Sequence, residues 1–254
     1  MKISAVSMAI LLTVLSLASF AQEIPEGTIL PVMLNSSLDA GRNHPGQAIS
    51  AKIMQDVSLP NGKLIPRGSK VVGQIISASR ATSTSGSSLT VSFDRITGNG
   101  WNVPIAAHVR ALASTFEVFQ AKLPTNSFAD YGTSTSDWNT VQIGGAGVYR
   151  GNGEVVHDGE IVGRATDYGA VTAKLIAAPA RGCANSSDRE QALWVFSPWA
   201  CGTYGFTGLK VAHTGETDPV GAIEFTSNSD IRIQGGSGWL LRVDSSGGKT
   251  VTTN

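Results

Sequence analysis

Between Ile24 and Leu112 no run of apolar residues keeps the spacing of a helix face. They alternate instead, in short stretches cut by turn residues. Ile49, Ala51 and Ile53 are separated by polar positions, and Val71, Gly73, Ile75 and Ser77 alternate with Val72, Gln74 and Ile76. Such a period of two sends successive side chains to opposite faces of a pleated strand. The punctuation agrees. Asn61-Gly62 is a strong hairpin signal, Pro45-Gly46, Pro66-Arg67-Gly68 and Gly98-Asn99-Gly100 mark further turns, and "TSTSGSS" from Thr82 to Ser88 reads as an exposed hairpin loop. With 29 glycines and only 15% charged residues, the chain suits short strands joined by tight turns. The pattern predicts an all-β fold, a barrel or a sandwich.

From Ala113 to about Thr140 the alternation stops. A short helix is expected near Phe116 to Ala121, followed by a polar loop rich in Ser, Thr and Asn. Strand-like runs then resume around the turns Gly151-Asn152-Gly153 and Asp158-Gly159. Near the end, "IRIQGGSGWLLRV" reads as one hairpin, Ile231–Ile233 against Trp239–Val243, and residues 245–254 as a flexible tail.

The first residues, "MKISAVSMAILLTVLSLASFAQ", bear on the compartment. Lys2 precedes an uncharged apolar stretch from about Ala5 to Ala18, and Ser19 and Ala21 flank Phe20. A basic start, a hydrophobic middle and an A-x-A-like site predict a signal peptide over residues 1–21, cleaved after Ala21. The apolar run falls short of the roughly 20 residues that span a bilayer, so no membrane-spanning segment is expected in the mature chain. No Cys follows the cleavage point, which argues against a lipid anchor. The expected destination is the periplasm or the exterior. Without Lys2, 18 of the 19 Lys and Arg residues remain against 19 Asp and Glu, a formal charge of −1. That balance lacks the basic stripe a phosphate backbone demands, so nucleic acid is not an expected partner. Cys183 and Cys201, an even pair in an exported chain, read as a disulfide, and closing that loop would stabilise by roughly 3 kcal/mol. The bridge would clasp the segment that holds Trp194, Phe196 and Trp199.

Four stretches, taken in order, carry a resemblance. Gly27-Thr28 opens "EGTILPVML", Pro45-Gly46 precedes a strand, Leu64 to Gly73 form "LIPRGSKVVG", and Leu89 to Ile105 form "LTVSFDRITGNGWNVPI". Together they resemble the C-terminal β-barrel of the TrbI-like family, the outer-core subunit of type IV secretion and conjugation systems. The closing strand pair of that barrel is similar to "IRIQGGSGWLLRV". The resemblance implies a TrbI-like β-barrel over residues 22–113 plus 228–244, interrupted by an inserted β-rich region, 114–227, that contains the two cysteines. It also implies a barrel interior filled by Val71, Ile75, Val91 and Phe93. In the secretion subunits the insertion carries an apolar helical pair; this sequence has none there, nor the inner-membrane helix and Pro-rich linker of those subunits. The inserted region is similar to secreted Acidobacteria-type proteins of undefined function, which implies no activity.

No stretch assembles a catalytic constellation. A hydrolase needs a nucleophile, a base and an orienting acid, and no G-x-S-x-G elbow occurs; "QGGSGW" around Ser237 reads as a turn. No two carboxylates stand out as a glycosidase pair. Gly144-Gly145-Ala146-Gly147 lacks the Lys and helix of a phosphate cradle. "HTGETD" brings His213, Glu216 and Asp218 together in sequence; they could ligate a divalent cation if the turn curls, or form a solvated polar turn before Pro219. His157, Asp158 and Glu160 fit an exposed hairpin turn. Of the five tryptophans, Trp138 is the best exposed candidate for stacking on a sugar, because it falls in the Ser/Thr-rich loop. The expected function is therefore non-catalytic and cofactor-free. It is protein–protein interaction or scaffolding in the cell envelope, with envelope proteins or copies of itself as partners. The other reading is a carbohydrate-binding or adhesion module that holds a glycan.

Overall fold

The computed structural model describes the backbone of residues 24–122, 138–144, 147–151, 154–157, 160–165, 171–172, 175–176, 193–197, 200–212 and 221–244. For 138–141 and for 147–176 the description is of backbone alone. The expected signal peptide and tail lie outside the described residues.

The first part of the chain lays down nine strands and a helix: β1 (Ile29–Leu34), β2 (Leu38–Asp39), β3 (Ala48–Ile53), β4 (Val57–Ser58), β5 (Leu64–Ile65), β6 (Lys70–Ser79), β7 (Ser87–Gly98), β8 (Trp101–Pro104), β9 (Ala107–Ala113) and α1 (Thr115–Gln120). Six strands follow, namely β10 (Trp138–Val141), β11 (Gly147–Gly151), β12 (Glu154–His157), β13 (Glu160–Ala165), β14 (Val171–Thr172) and β15 (Leu175–Ile176). The last are β16 (Gly202–Tyr204), β17 (Lys210–Val211), β18 (Ile223–Ser227), β19 (Arg232–Ile233) and β20 (Gly238–Val243).

The main sheet runs β16-β9-β20-β1-β3-β6-β7-β18-β17, with β8 also paired to β7. Neighbours are antiparallel except β16, which joins β9 in parallel. Strands β10 to β14 form a separate meander, in which Gly151 lies opposite Glu154 and His157 opposite Glu160. The alternation seen in the sequence becomes burial: Ile49, Ala51, Ile53, Val71, Ile75, Val91 and Phe93 all belong to the core.

The main sheet rolls over on itself. Trp239 of β20 meets Phe93 of β7 edge-on at 5.9 Å and Phe225 of β18 at 5.5 Å, although three strands separate β20 from β7 in the ladder. Two bulges in the β6–β7 pair, at Val72/Gly73 and Ile75/Ser77, contribute to that curvature, since an extra residue bends a strand and increases its twist. Among the described residues the roll is an open sheet, not a closed barrel. It ends on β16 with three residues and β17 with two, which come close to each other without sharing a ladder.

Two sequence expectations change here. Ile231–Ile233 and Trp239–Val243 do not form a hairpin together: β19 pairs with β2, while β20 lies between β1 and β9. Buried Ile231 and Ile233 on one side and a fully buried β20 on the other belong to different neighbours. The expected insertion boundary at 227 also falls inside the main sheet, because β16, β17 and β18 are members of it. Ile223 and Phe225 alternate with exposed or half-buried positions and face the same core as Val91 and Leu89, opposite which they sit.

Candidate interaction site

The helix α1 carries the most unusual surface. Ser114 is its N-cap, in extended backbone, with Oγ accepting from the Glu117 N–H at 3.3 Å. Ser114 and Glu117 have the spacing of a capping box. Six residues are too few for a helix to hold by itself, so tertiary contact must stabilise it. Val118 supplies that contact: it is buried against Gly238 of β20, where a methyl group would lie 2.8 Å from Val118 Cγ2. Phe116 and Phe119, three residues apart and therefore neighbours on one helix face, are 63% and 58% exposed. The other large apolar side chains exposed among the described residues are Leu64 and Ile76, on β5 and β6. Two phenylalanines exposed side by side on a helix anchored through Val118 cost free energy in water.

The strand ends offer less. β16 and β17 are very short, and β8 carries Pro104, which has no N–H to donate. Short, interrupted edges resist strand addition.

The polar groups that converge in space are ones the sequence did not single out. His108 on β9 and Asp244 just beyond β20 are hydrogen-bonded through Nδ1 and Oδ1, 136 residues apart in sequence. Asp244 also accepts from the Gly221 N–H through Oδ2 at 3.1 Å, and its own N–H donates to the Ala106 carbonyl at 2.8 Å. His108 Nε2 is buried without a hydrogen-bond partner among the described residues. The His108–Asp244 pair works as a latch that ties the end of β20 and the turn at Gly221 to β9. Nearby Arg110 is buried, and burial together with the adjacent Arg242 holds its guanidinium below the ordinary range, while Tyr204 opposes the shift.

A second polar contact fixes the segment before Cys201. Leu193 and Phe196 close a two-residue turn in which Trp194 takes φ +58, a left-handed value that bulky side chains rarely adopt. Gln55, fully buried, accepts the Trp194 N–H through Oε1. The indole packs against Phe196 at 6.4 Å, with Lys122 Nζ over its face at 5.4 Å. Burial, and then the charge of Lys52, lower the Lys122 pKa. Trp194 thus serves the core.

The residues picked out from sequence are placed as follows. Cys201 precedes β16, and its N–H donates to Tyr204 Oη at 3.0 Å; Cys183 lies outside the described residues. Trp138 heads strand β10 opposite Arg150 and is not in a loop, the backbone having already turned extended there. His213, Glu216 and Asp218 lie outside the described residues. Among those described, no three His, Cys, Asp or Glu side chains approach closely enough to hold a metal ion. No described helix is long and apolar enough to cross a membrane. A scan of family models finds none that matches the chain, and a search of curated proteins finds no similar sequence.

Proposed function

We propose that this chain is an exported, non-catalytic protein of the cell envelope that works by holding protein partners or further copies of itself. The observation that carries this reading is the pair Phe116 and Phe119, displayed on a helix that is anchored through Val118 and Gly238. The same reading includes a signal peptide over residues 1–21, a fold related to the TrbI-like barrel and a Cys183–Cys201 bridge. An export route that oxidises thiols suits such a bridge, and an exported scaffold needs no cofactor. Strand addition along β8, β16 or β17 contributes little, because those edges are short.

The test is in-cell crosslinking of the full chain in a bacterial host, with mass spectrometry of the products, repeated with the Phe116→Ser/Phe119→Ser double variant. Crosslinks to a few envelope proteins or to itself, lost in the double variant while the far-ultraviolet circular dichroism is unchanged, are expected. A monomer without protein partners refutes the reading. Alkylation of the purified protein before and after reduction reports the bridge: both cysteines should react only after reduction. A glycan-binding role is favoured by different residues, at the start of β6 and the tip of the β7–β8 hairpin.

A further inference from the structure

We propose that the cleft between the turn joining β5 to β6 and the tip of the β7–β8 hairpin binds the carboxylate-bearing sugars of an acidic polysaccharide. The cleft holds about 620 Å³, inside the range of about 300–1,000 Å³ that ligand sites occupy. Its walls include Arg67, Lys70, Thr97, Asn99 and Trp101. Both walls are held by their own hydrogen bonds before any ligand arrives. The Gly68 N–H donates to the Ile53 carbonyl at 2.8 Å, Ser69 Oγ donates to the Pro66 carbonyl at 2.7 Å, and the Arg67 N–H donates to Asp56 Oδ1 at 2.6 Å. On the other wall Gly98 leaves no room for a side chain beneath the indole, since a methyl there would lie 2.2 Å from Trp101 Nε1.

The charges on this site are unspent. Lys70 stands directly across the ladder from Lys52, an arrangement of like charges that destabilises a sheet. Arg67, Lys70 and Lys52 are all exposed, and none has an ion-pair partner among the described residues, where the pairs formed involve Arg42, Arg80, Arg95, Arg232 and His108. Asp56 accepts the Arg67 N–H through Oδ1 and forms no ion pair with the Arg67 guanidinium. An anion in the cleft relieves the Lys52–Lys70 repulsion and gives Arg67 a planar partner that its guanidinium fits with two parallel bonds. Trp101 decides the rest of the ligand. It is half-buried, its Nε1 donates to no acceptor among the described residues, and it combines an apolar ring face with a polar edge at the cleft wall. A hexuronate presents the matching chemistry: a carboxylate, an apolar C–H face and hydroxyls for Nε1 and Asn99. The small net charge of the chain does not suit a nucleic-acid backbone.

The experiment is calorimetric titration of the full mature chain at low salt with a tetrasaccharide of galacturonate, with cellotetraose as the neutral probe, and with inorganic sulfate and a tetraglutamate peptide as competitors. Binding of the acidic tetrasaccharide alone is expected, weakened at least tenfold by Arg67→Ala and by Trp101→Ala, and several-fold when salt is raised. Because Trp101→Ala touches the hairpin, Arg67→Glu on an exposed position serves as the second variant, with thermal melting to show that it folds. Equal binding of cellotetraose, full displacement by sulfate or by the peptide, or an Arg67→Glu protein that binds unchanged would each overturn the proposal. The docking surface on α1 does not depend on any of these results.

Discussion

Gly73→Ala is the perturbation whose size the structure fixes most tightly. Gly73 sits at a bulge in the β6–β7 pair, and a methyl group there would lie 1.8 Å from the Ser92 carbonyl oxygen, 2.7 Å from Ser92 C and 2.8 Å from Phe93 Cα. All three are backbone atoms, so no side chain can swing aside. Relief requires β6 and β7 to separate by about an ångström, which strains the two longest strands of the sheet. Overpacking of a core costs about 1–3 kcal/mol, and each ladder hydrogen bond lost adds about 1 kcal/mol. A loss of about 3–5 kcal/mol follows. At about 2–4 °C per kcal/mol for a chain of this size, Tm should fall by roughly 6–20 °C. Gly46→Ala is the control. Its φ of +80 strains an alanine, but nothing lies within 4 Å of the added methyl, so about 1–2 kcal/mol is expected. Urea unfolding followed by tryptophan fluorescence, with thermal melts of both variants, measures the difference. A Gly73→Ala protein no less stable than Gly46→Ala would refute the argument that close strand approach, not backbone freedom, requires this glycine.

Other expectations follow from single contacts. Trp239→Ala removes a fully buried indole that meets Phe93 and Phe225 and donates from Nε1 to Ser237 Oγ at 2.9 Å; a loss of about 3–5 kcal/mol is expected in urea unfolding. Asp244→Asn weakens the latch to His108 and should cost about 1.5–3 kcal/mol, read as earlier hydrogen exchange of β20 amides than in the unaltered chain. Lys122 has a pKa lowered from 10.5 by burial and by Lys52. Just below that value the unfolded chain therefore holds more proton than the folded one, so stability rises with pH there. Relative to Lys122→Met, the unaltered protein should gain in urea midpoint as the pH rises toward 10.5, and equal gains in both would exclude the effect.

Local pattern carried most of the strand assignments. Alternation at Ile49 to Ile53 and at Val71 to Ile75 reports which face of a strand is buried, and Asn61-Gly62 and Gly98-Asn99-Gly100 report where the chain reverses, because both signals are short-range. The short helix after β9 was visible for the same reason, though its Ser114 cap was not read. Strand partners were not visible. Nothing within "IRIQGGSGWLLRV" states that Arg232 faces Asp39 and Leu240 faces Pro31, since those pairings are decided by which distant strand has a vacant edge. The same reason hid the membership of Ile223 to Ser227 in the main sheet. Of the sites, His108 and Asp244 were out of reach because 136 residues separate them, and the cleft at Arg67 and Trp101 because its two walls come from separate turns. A signal did exist for the cleft: Pro66-Arg67-Gly68 puts a cation in a rigid turn, and Trp101 follows a Gly-rich hairpin tip.

The position of β20 has a kinetic consequence. Its flanking strands are β1, among the first residues described, and β9, so Ile29 pairs with Arg242 and Ala113 with Gly238. Until residues 238–243 are available, the middle of the sheet is a gap and Phe93 and Phe225 lack the indole that joins them. Contacts so distant along the chain close slowly. A chain that has not yet produced residues 238–243 therefore leaves β1 and β9 without the strand that joins them, and this part of the main sheet forms only once that segment is made. A chain truncated after Ser237 should show no cooperative unfolding transition. An export route that threads unfolded chains, as proposed above, would meet the chain in a threadable state until that segment is made.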